Sequence, residues 1–270
     1  MERTASIVRY MTHQKPQLSV VVITYNEEAT IRGCLASVAF ADEIIVIDSG
    51  SQDKTVEICQ AYTAHVYVTD WPGDGPQRNR GIEKARGEWV LCLDADERVS
   101  SELAEELQSI LKTTLYQGFS IPFLSYYLGK PIQWGDWRKE RHTRLFRKNK
   151  GHYSGSVVYG AQGAHCRPLV DGAVGRLNGK ILHYPFPHFE KVLQKVNQYS
   201  SGSASLKWQK GEKSSPFKAI MRGLWAFLRG YVLKLGFLDG RSGLMLAISN
   251  AEGVYYRYLK LWWLSRSCTS

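Results

Sequence analysis

Four short runs, Leu18 to Tyr25, Glu43 to Asp48, His65 to Asp70 and Trp89 to Asp94, are rich in β-branched residues and almost continuously apolar. A strand with one wet face alternates apolar and polar residues, whereas an unbroken apolar run is the mark of a strand buried on both faces. Helical patterns lie between and after them, over roughly 27–40, 53–62, 76–86 and 100–112. Strand–helix alternation of this kind predicts an α/β fold, a mostly parallel sheet with right-handed crossovers flanked by helices. Such sheets bind ligands beyond the carboxyl ends of their strands. Those ends carry Thr24-Tyr25-Asn26-Glu27, Asp48, Asp70 and Asp94-Ala95-Asp96, so polar and acidic groups converge where a ligand belongs.

The fourth run ends in two carboxylates one residue apart, Asp94 and Asp96. Along an extended backbone residues i and i+2 face the same way. The pair is therefore expected to point together beyond the strand, suited to a hard divalent cation and the phosphate oxygens it carries. The competing reading is a cap for the helix beginning near Ser100. Asp48 ends the second strand, where it can accept hydrogen bonds from a base or ribose; Asp53 either caps the following helix or touches the ligand. Arg78, after the turn Trp71-Pro72-Gly73-Asp74-Gly75-Pro76, is either ordinary loop chemistry or a partner for a diphosphate. No P-loop, no Gly-x-Gly-x-x-Gly after the first strand, no zinc spacing and no Gly-x-Ser-x-Gly elbow occurs, which argues against an NTPase, a dinucleotide oxidoreductase or a serine hydrolase.

The chain of 270 residues is long enough for a sizeable core, and 44% hydrophobic with 22% charged residues is a globular balance. Residues 113–185 read as irregular, with short strands at Phe119–Phe123 and Tyr126–Lys130, a turn at Gly129, and a half-exposed strand at Arg144-Leu145-Phe146-Arg147. Helical periodicity returns from about 186, with a linker over 207–216. The predicted organisation is an extension over 1–17, a strand–helix half over 18–112, a second half over 113–185 that extends the sheet and builds the other wall of a cleft, and a helical region over 186–270. Charge divides unevenly: residues 1–110 hold 10 Lys and Arg against 18 Asp and Glu, residues 181–270 hold 13 against 4. The basic end implies an acidic partner. Five scattered cysteines read as reduced thiols, and neither a signal peptide nor a run long enough to span a membrane is evident, so the expected place is the cytoplasmic side, dissolved or peripheral.

Three motifs in this order, Val20-Val21-Val22-Ile23-Thr24-Tyr25-Asn26-Glu27-Glu28, Ile47-Asp48-Ser49-Gly50-Ser51-x-Asp53-x-Thr55 and Leu93-Asp94-Ala95-Asp96-Glu97, resemble family 2 glycosyltransferases of the GT-A fold. The remainder resembles bacterial lipopolysaccharide-core glucosyltransferases of the WaaE/KdtX kind, through Gly75-Pro76-Gln77-Arg78-Asn79-Arg80-Gly81, Arg144-Leu145-Phe146-Arg147, His183-Tyr184-Pro185, Phe237-Leu238-Asp239-Gly240-Arg241 and Ser249-Asn250-Ala251-Glu252-Gly253. The resemblance implies an inverting transfer from a UDP-sugar. Thr24, Tyr25, Glu27, Asp48 and Asp53 would hold the nucleotide-sugar together with Ala95, and Arg78 would lie near its base or diphosphate. Asp94 would meet ribose or metal, and Asp96 would bind Mg²⁺ or Mn²⁺. The position of the base falls on Glu140, with Asp136 in reserve; for Glu140 the competing reading is a salt bridge to Arg141 or Arg144. Val158-Tyr159-Gly160 stands where relatives carry Val-His-Glu, which puts the acceptor pocket in question. His183 is either a metal or phosphate contact or a structural histidine.

The implied acceptor is a lipid-linked saccharide, the inner-core heptose of lipopolysaccharide, or else another surface glycan or lipid carrier. A non-catalytic nucleotide-sugar-binding or membrane-associated protein is the reading from a different class. Over 216–266, Lys218, Arg222, Arg229, Lys234 and Arg241 interleave with Trp225, Phe227 and Tyr231. That pattern predicts contact with an anionic membrane surface rather than with nucleic acid.

Overall fold

The computed structural model describes residues 16–154 and 166–266. The segment Val158-Tyr159-Gly160 and Cys268 lie outside the described residues. Strands β1 (Leu18–Thr24), β2 (Glu43–Asp48), β3 (Val66–Val68) and β4 (Trp89–Asp94) form a parallel set, linked by helices α1 (Ile31–Ser37), α2 (Thr55–Gln60) and α3 (Asp74–Lys84). After β4 come the strand β5 (Glu97–Val99) and helix α4 (Ser101–Ile110), whose cap is Ser100. The unbroken apolar runs have the expected cause. Val20, Val22, Leu91 and Leu93 face one core with Ile31, Leu35, Leu103 and Leu107; Val21, Ile23, Ile45, Ile47, Val90 and Cys92 face a second. Cys34, Cys59 and Cys92 are buried free thiols, and burial pushes Cys59 up to about 12.

The second part of the sheet is built from β6 (Gly118–Tyr127), β7 (Lys130–Pro131), β8 (Arg141–Arg147), β11 (Val174–Arg176) and β12 (Ile181–His183), while β9 (Gly151–Tyr153) and β10 (Pro168–Val170) pair separately. The order across the sheet is β3-β2-β1-β4-β8-β6-β12-β5, with β8 antiparallel to β4 and β6, and β5 antiparallel to β12. Residues 18–112 and 113–185 therefore share one sheet. Where two short strands were expected, β6 is one strand of ten residues. The turn at Leu128-Gly129 is real, and both residues have positive φ.

Helices α5 (Phe189–Gln209), α6 (Pro216–Phe227) and α7 (Gly240–Arg266) form the carboxyl-terminal region. The expected linker shrinks to 210–215, because α5 continues to Gln209 and Ser215 caps α6, accepting a hydrogen bond from Lys218 N, with Pro216 in the first turn. After α6 a π-helical segment, Leu228–Leu233, and a 3₁₀ turn, Gly236–Asp239, lead into α7. A third core of Tyr127, Ile132, Val192 and Leu246, with Trp137 and Phe186, joins these helices to the sheet. Among the described residues, no helix is long and apolar enough to cross a membrane.

Candidate active site

Parallel register brings the strand ends together: Thr24 lies opposite Asp48, and Ile23 opposite Asp94. Close packing delivers Arg78. A side chain on Gly81 of α3 would collide with Val21, so only glycine lets the helix lie so near β1, and Arg78, one turn earlier, reaches the end of β4.

Asp94 and Asp96 do not share a strand, contrary to the expectation. The chain turns at Ala95-Asp96 into β5, and the two carboxylates meet different partners. Asp94 Oδ1 accepts from Arg78 Nη2 at 2.5 Å and Oδ2 from Arg144 Nη2 at 3.2 Å. Arg144 Nη2 also donates to Glu97 Oε1 at 2.5 Å, and Glu97 Oε2 accepts the Asp94 N–H at 2.9 Å. Two guanidiniums and two carboxylates thus close a largely buried box. Burial alone would raise the Asp94 carboxyl, but Arg78 and then Arg144 hold it well below the usual carboxylate range. Burial pushes Glu97 up, with the Asp94 charge and against the pull of Arg144. Both oxygens of Asp94 are engaged by arginines, while its side chain stays about a third exposed and each oxygen retains a lone pair for the expected contact with ribose or metal. Ala95 is buried in the first core.

Removing Arg144 leaves the buried Glu97 without its cation and Asp94 with Arg78 alone, and breaking a buried pair in this way typically costs about 3–5 kcal/mol. Arg144→Met is therefore expected to destabilise the fold by about that amount, read as a lower urea midpoint at unchanged slope. A midpoint equal to that of the unmodified chain would show that the box does not hold the sheet together.

Asp96 opens to the other side. Its carboxylate lies 3.6 Å from His183 Nε2 and 3.7 Å from Lys195 Nζ. Register explains the histidine: His183 on β12 lies opposite Glu97 on one side and Ser125 on the other, and its Nδ1 is 3.2 Å from Ser125 Oγ. Burial would raise Asp96, but the His183 charge, with that of Lys195, brings it down to about 2; His183 is raised in turn by Asp96 against the effect of burial. The Asp96 carboxylate suits Mg²⁺ or Mn²⁺, which draw their remaining ligands from phosphate and water, and His183 would join it only as the neutral imidazole. No cluster of three or more such donors occurs among the described residues.

The nucleotide-side residues divide by whether they are already occupied. Asp48 is fully buried and accepts from Gly50 N, Ser51 N and Ser51 Oγ at 2.9, 2.8 and 2.5 Å. Asp53 accepts from Thr55 N, Thr55 Oγ1 and Glu28 N. Both shape the loop after β2. Glu27 accepts from Thr30 Oγ1 at 2.8 Å and lies 3.6 Å from Lys191 Nζ. Thr24 Oγ1 and the Nε and Nη1 of Arg78 are buried with no partner among the described residues, while Tyr25 is half exposed. Buried donors without partners are rare and mark where a polar ligand or water belongs.

On the acceptor side the two candidate bases separate cleanly. Asp136 is tied to Lys234 Nζ at 2.7 Å and Arg229 Nη2 at 3.2 Å, joining its loop to the π-helical segment. Glu140 remains a third exposed, with His142 Nε2 2.8 Å from its Oε1, a histidine contact where a salt bridge to Arg141 or Arg144 was the competing expectation. The Phe123 ring connects the two halves. It meets His142 edge-on at 5.0 Å and His183 edge-on at 6.2 Å, so the partner of Glu140 and the partner of Asp96 flank one ring. Glu97, His142, Arg144, Lys191 and Lys195 are site residues that the sequence reading did not assign. A signal existed for Lys191 and Lys195, spaced i, i+4 on one helix face.

The profile of glycosyl transferase family 2 matches residues 19–169. The uncharacterized glycosyltransferase RP128 of Rickettsia prowazekii (strain Madrid E) is 32% identical, over 91% of this chain and 86% of its own. The lipopolysaccharide core biosynthesis glycosyltransferase LpsC of Rhizobium meliloti (strain 1021) is 29% identical, over 90% and 94%. Among solved structures, the mannosyltransferase PcManGT from Pyrobaculum calidifontis, in complex with GDP-Man and Mn²⁺, is similar at TM-score 0.49 and 15% identity, over 93% of this chain and 88% of that one. With the strand-end motifs, the sheet that carries them and a family profile spanning more than half the chain, this protein belongs to glycosyl transferase family 2, and it is a transferase enzyme.

Proposed function

We propose that the chain moves a hexose, glucose, from a UDP-sugar to a lipid-linked saccharide, the inner-core heptose of lipopolysaccharide, with inversion at the anomeric carbon. The observation that carries this reading is the bracket around Phe123, with Asp96 beside His183 on one flank and Glu140 beside His142 on the other. Transfer by direct displacement needs these two things on opposite sides of the sugar: compensation for charge leaving on the diphosphate, and a base for the attacking hydroxyl. Asp96 and His183 would hold Mg²⁺ or Mn²⁺, which when bound acts as a Lewis acid on the diphosphate. Arg78 offers unpartnered N–H donors to the nucleotide, and Thr24 and Tyr25 line the same strand end. Glu140 accepts the proton of the acceptor hydroxyl while His142 holds its carboxylate in place. The lipopolysaccharide assignment is supported by the likeness to LpsC along nearly the whole of both chains.

A lipid-linked acceptor is reached at a membrane surface, and the carboxyl-terminal region suits one. Phe217, Trp225 and Leu233 are 73%, 52% and 63% exposed, with exposed Arg222 and Arg241 nearby. Apolar side chains at headgroup depth combined with bases facing anionic lipid, each worth about 1 kcal/mol, give peripheral binding. This would place the enzyme on the inner face of the bacterial inner membrane. The chain is expected to co-sediment with phosphatidylglycerol vesicles in low salt and much less in high salt. The Phe217→Ser, Trp225→Ser, Leu233→Ser variant should stay in the supernatant. Equal recovery with neutral vesicles, or none with either, would remove the membrane from the reading.

The test of the function itself is UDP release from a panel of UDP-sugars with Mn²⁺ or Mg²⁺, with and without truncated lipopolysaccharide exposing inner-core heptose. Acceptor-dependent release from one donor, lost with chelator, is the expected result. Metal-dependent UDP binding without release would reject the acceptor; no UDP binding would reject the donor class.

A further inference from the structure

We infer that Lys191 and Lys195 of α5 form a clamp for the diphosphate of the nucleotide-sugar, an inference that rests on the nucleotide-sugar reading above. Both residues lie on a helix outside the part of the chain matched by the family profile, 19–169, yet both reach the strand ends. Spaced i, i+4, they share one face of α5. Lys195 Nζ is 3.7 Å from Asp96 Oδ2, and Lys191 Nζ is 3.6 Å from Glu27 Oε1.

These contacts have a particular character. Two other lysines of the same region make short hydrogen bonds: Lys260 donates to Asn197, Ser200 and Ser201 at 2.7 to 3.0 Å, and Lys234 to Asp136 at 2.7 Å. At 3.6 and 3.7 Å, Lys191 and Lys195 neutralise charge without making a hydrogen bond among the described residues. Asp96 moreover already has His183 Nε2 at 3.6 Å, so Lys195 brings a second nitrogen to one carboxylate. The side chains are only 30% and 20% exposed, so they are held over the site rather than trailing in water. The Lys195 ammonium itself also lies over the Phe186 ring, with Nζ 5.4 Å from the centroid, a contact that helps to hold it at the site without a hydrogen-bond acceptor. An excess of oriented, unbonded ammonium donors next to buried arginine donors is a site prepared for a polyanion. When the diphosphate arrives, the two ammonium groups exchange loose carboxylate contacts for direct hydrogen bonds to phosphate oxygens. The carboxylates keep them in place until then.

The experiment is a titration of the full-length chain with uridine, UMP and UDP at fixed Mn²⁺, by calorimetry. In the unmodified chain UDP should bind far more tightly than uridine. Lys195→Met should weaken UDP roughly ten-fold, and Lys191→Met with Lys195→Met roughly a hundred-fold, the scale of one and two charge-assisted hydrogen bonds. Uridine affinity should not change, and Lys195→Arg should retain most of the UDP affinity. If the unmodified chain does not prefer UDP to uridine, the nucleotide-sugar reading fails and takes the clamp with it. If it does and the methionine variants keep that preference, or lose uridine and UDP alike, the clamp alone is overturned, since a purely structural role would not separate the two ligands.

Discussion

Asp96→Ala is expected to abolish glycosyl transfer while leaving the fold intact. The backbone of Asp96 holds its place by accepting a hydrogen bond from Tyr184 N at 2.8 Å, and alanine keeps that bond. What disappears is the carboxylate facing His183 and Lys195, with no hydrogen-bonded partner in the buried box. Its loss leaves Lys195 without that counter-charge and, on the proposed reading, removes the oxygen donor for a divalent ion at the diphosphate. Removing one preorganised electrostatic contact from a transition state already costs on the order of 10²–10³ in rate, and on the proposed reading the anchor of a Lewis acid goes with it, so a loss of about 10³ or more is expected. UDP release measured with the active acceptor checks this, alongside a thermal melt that should remain a cooperative transition, at a somewhat lower midpoint because the contacts of Asp96 with His183 and Lys195 are lost. Turnover within ten-fold of the unmodified chain would mean that charge on the leaving group is compensated elsewhere.

The contrast with Asp94 shows what a sequence carries and what it does not. Local pattern located β2 and β4 at their observed bounds, because burial on both faces leaves no polar residue to blur a strand. It did not show β5, three residues with Glu97 among them, since a carboxylate after an apolar strand reads as a helix cap until its partner is known. That partner, Arg144, comes from β8, where alternation of charged and apolar residues says that two faces differ but not which one is wet. The arginine turned inward. Asp136 follows the same logic: its partners Arg229 and Lys234 are 93 and 98 residues away, and only the packing of the carboxyl-terminal region onto the sheet reveals that it fastens a loop. The motifs thus marked strand ends that the sheet brings together, while the partners of neighbouring carboxylates depended on long-range cations.

That division decides the second large effect. Glu140→Gln is expected to lower kcat by about 10²–10⁴, the usual contribution of a positioned general base, with little change in the affinity for the UDP-sugar. Glutamine has the same shape and can still hydrogen-bond His142, so the loop geometry survives and only the ability to take a proton is lost. Asp136→Asn makes the counterpart. Its carboxylate is fastened between Arg229 and Lys234, so its neutralisation should loosen the docking of the π-helical segment and lower the melting temperature, with a smaller effect on kcat. Steady-state kinetics on both variants, with donor KM and kcat resolved, discriminate between them. If Glu140→Gln turns over normally and Asp136→Asn does not, the base is the aspartate, and its ion pairs must open as the acceptor enters. Because those pairs are made to the segment that carries the exposed apolar face, that outcome would couple proton transfer to the seating of the carboxyl-terminal region.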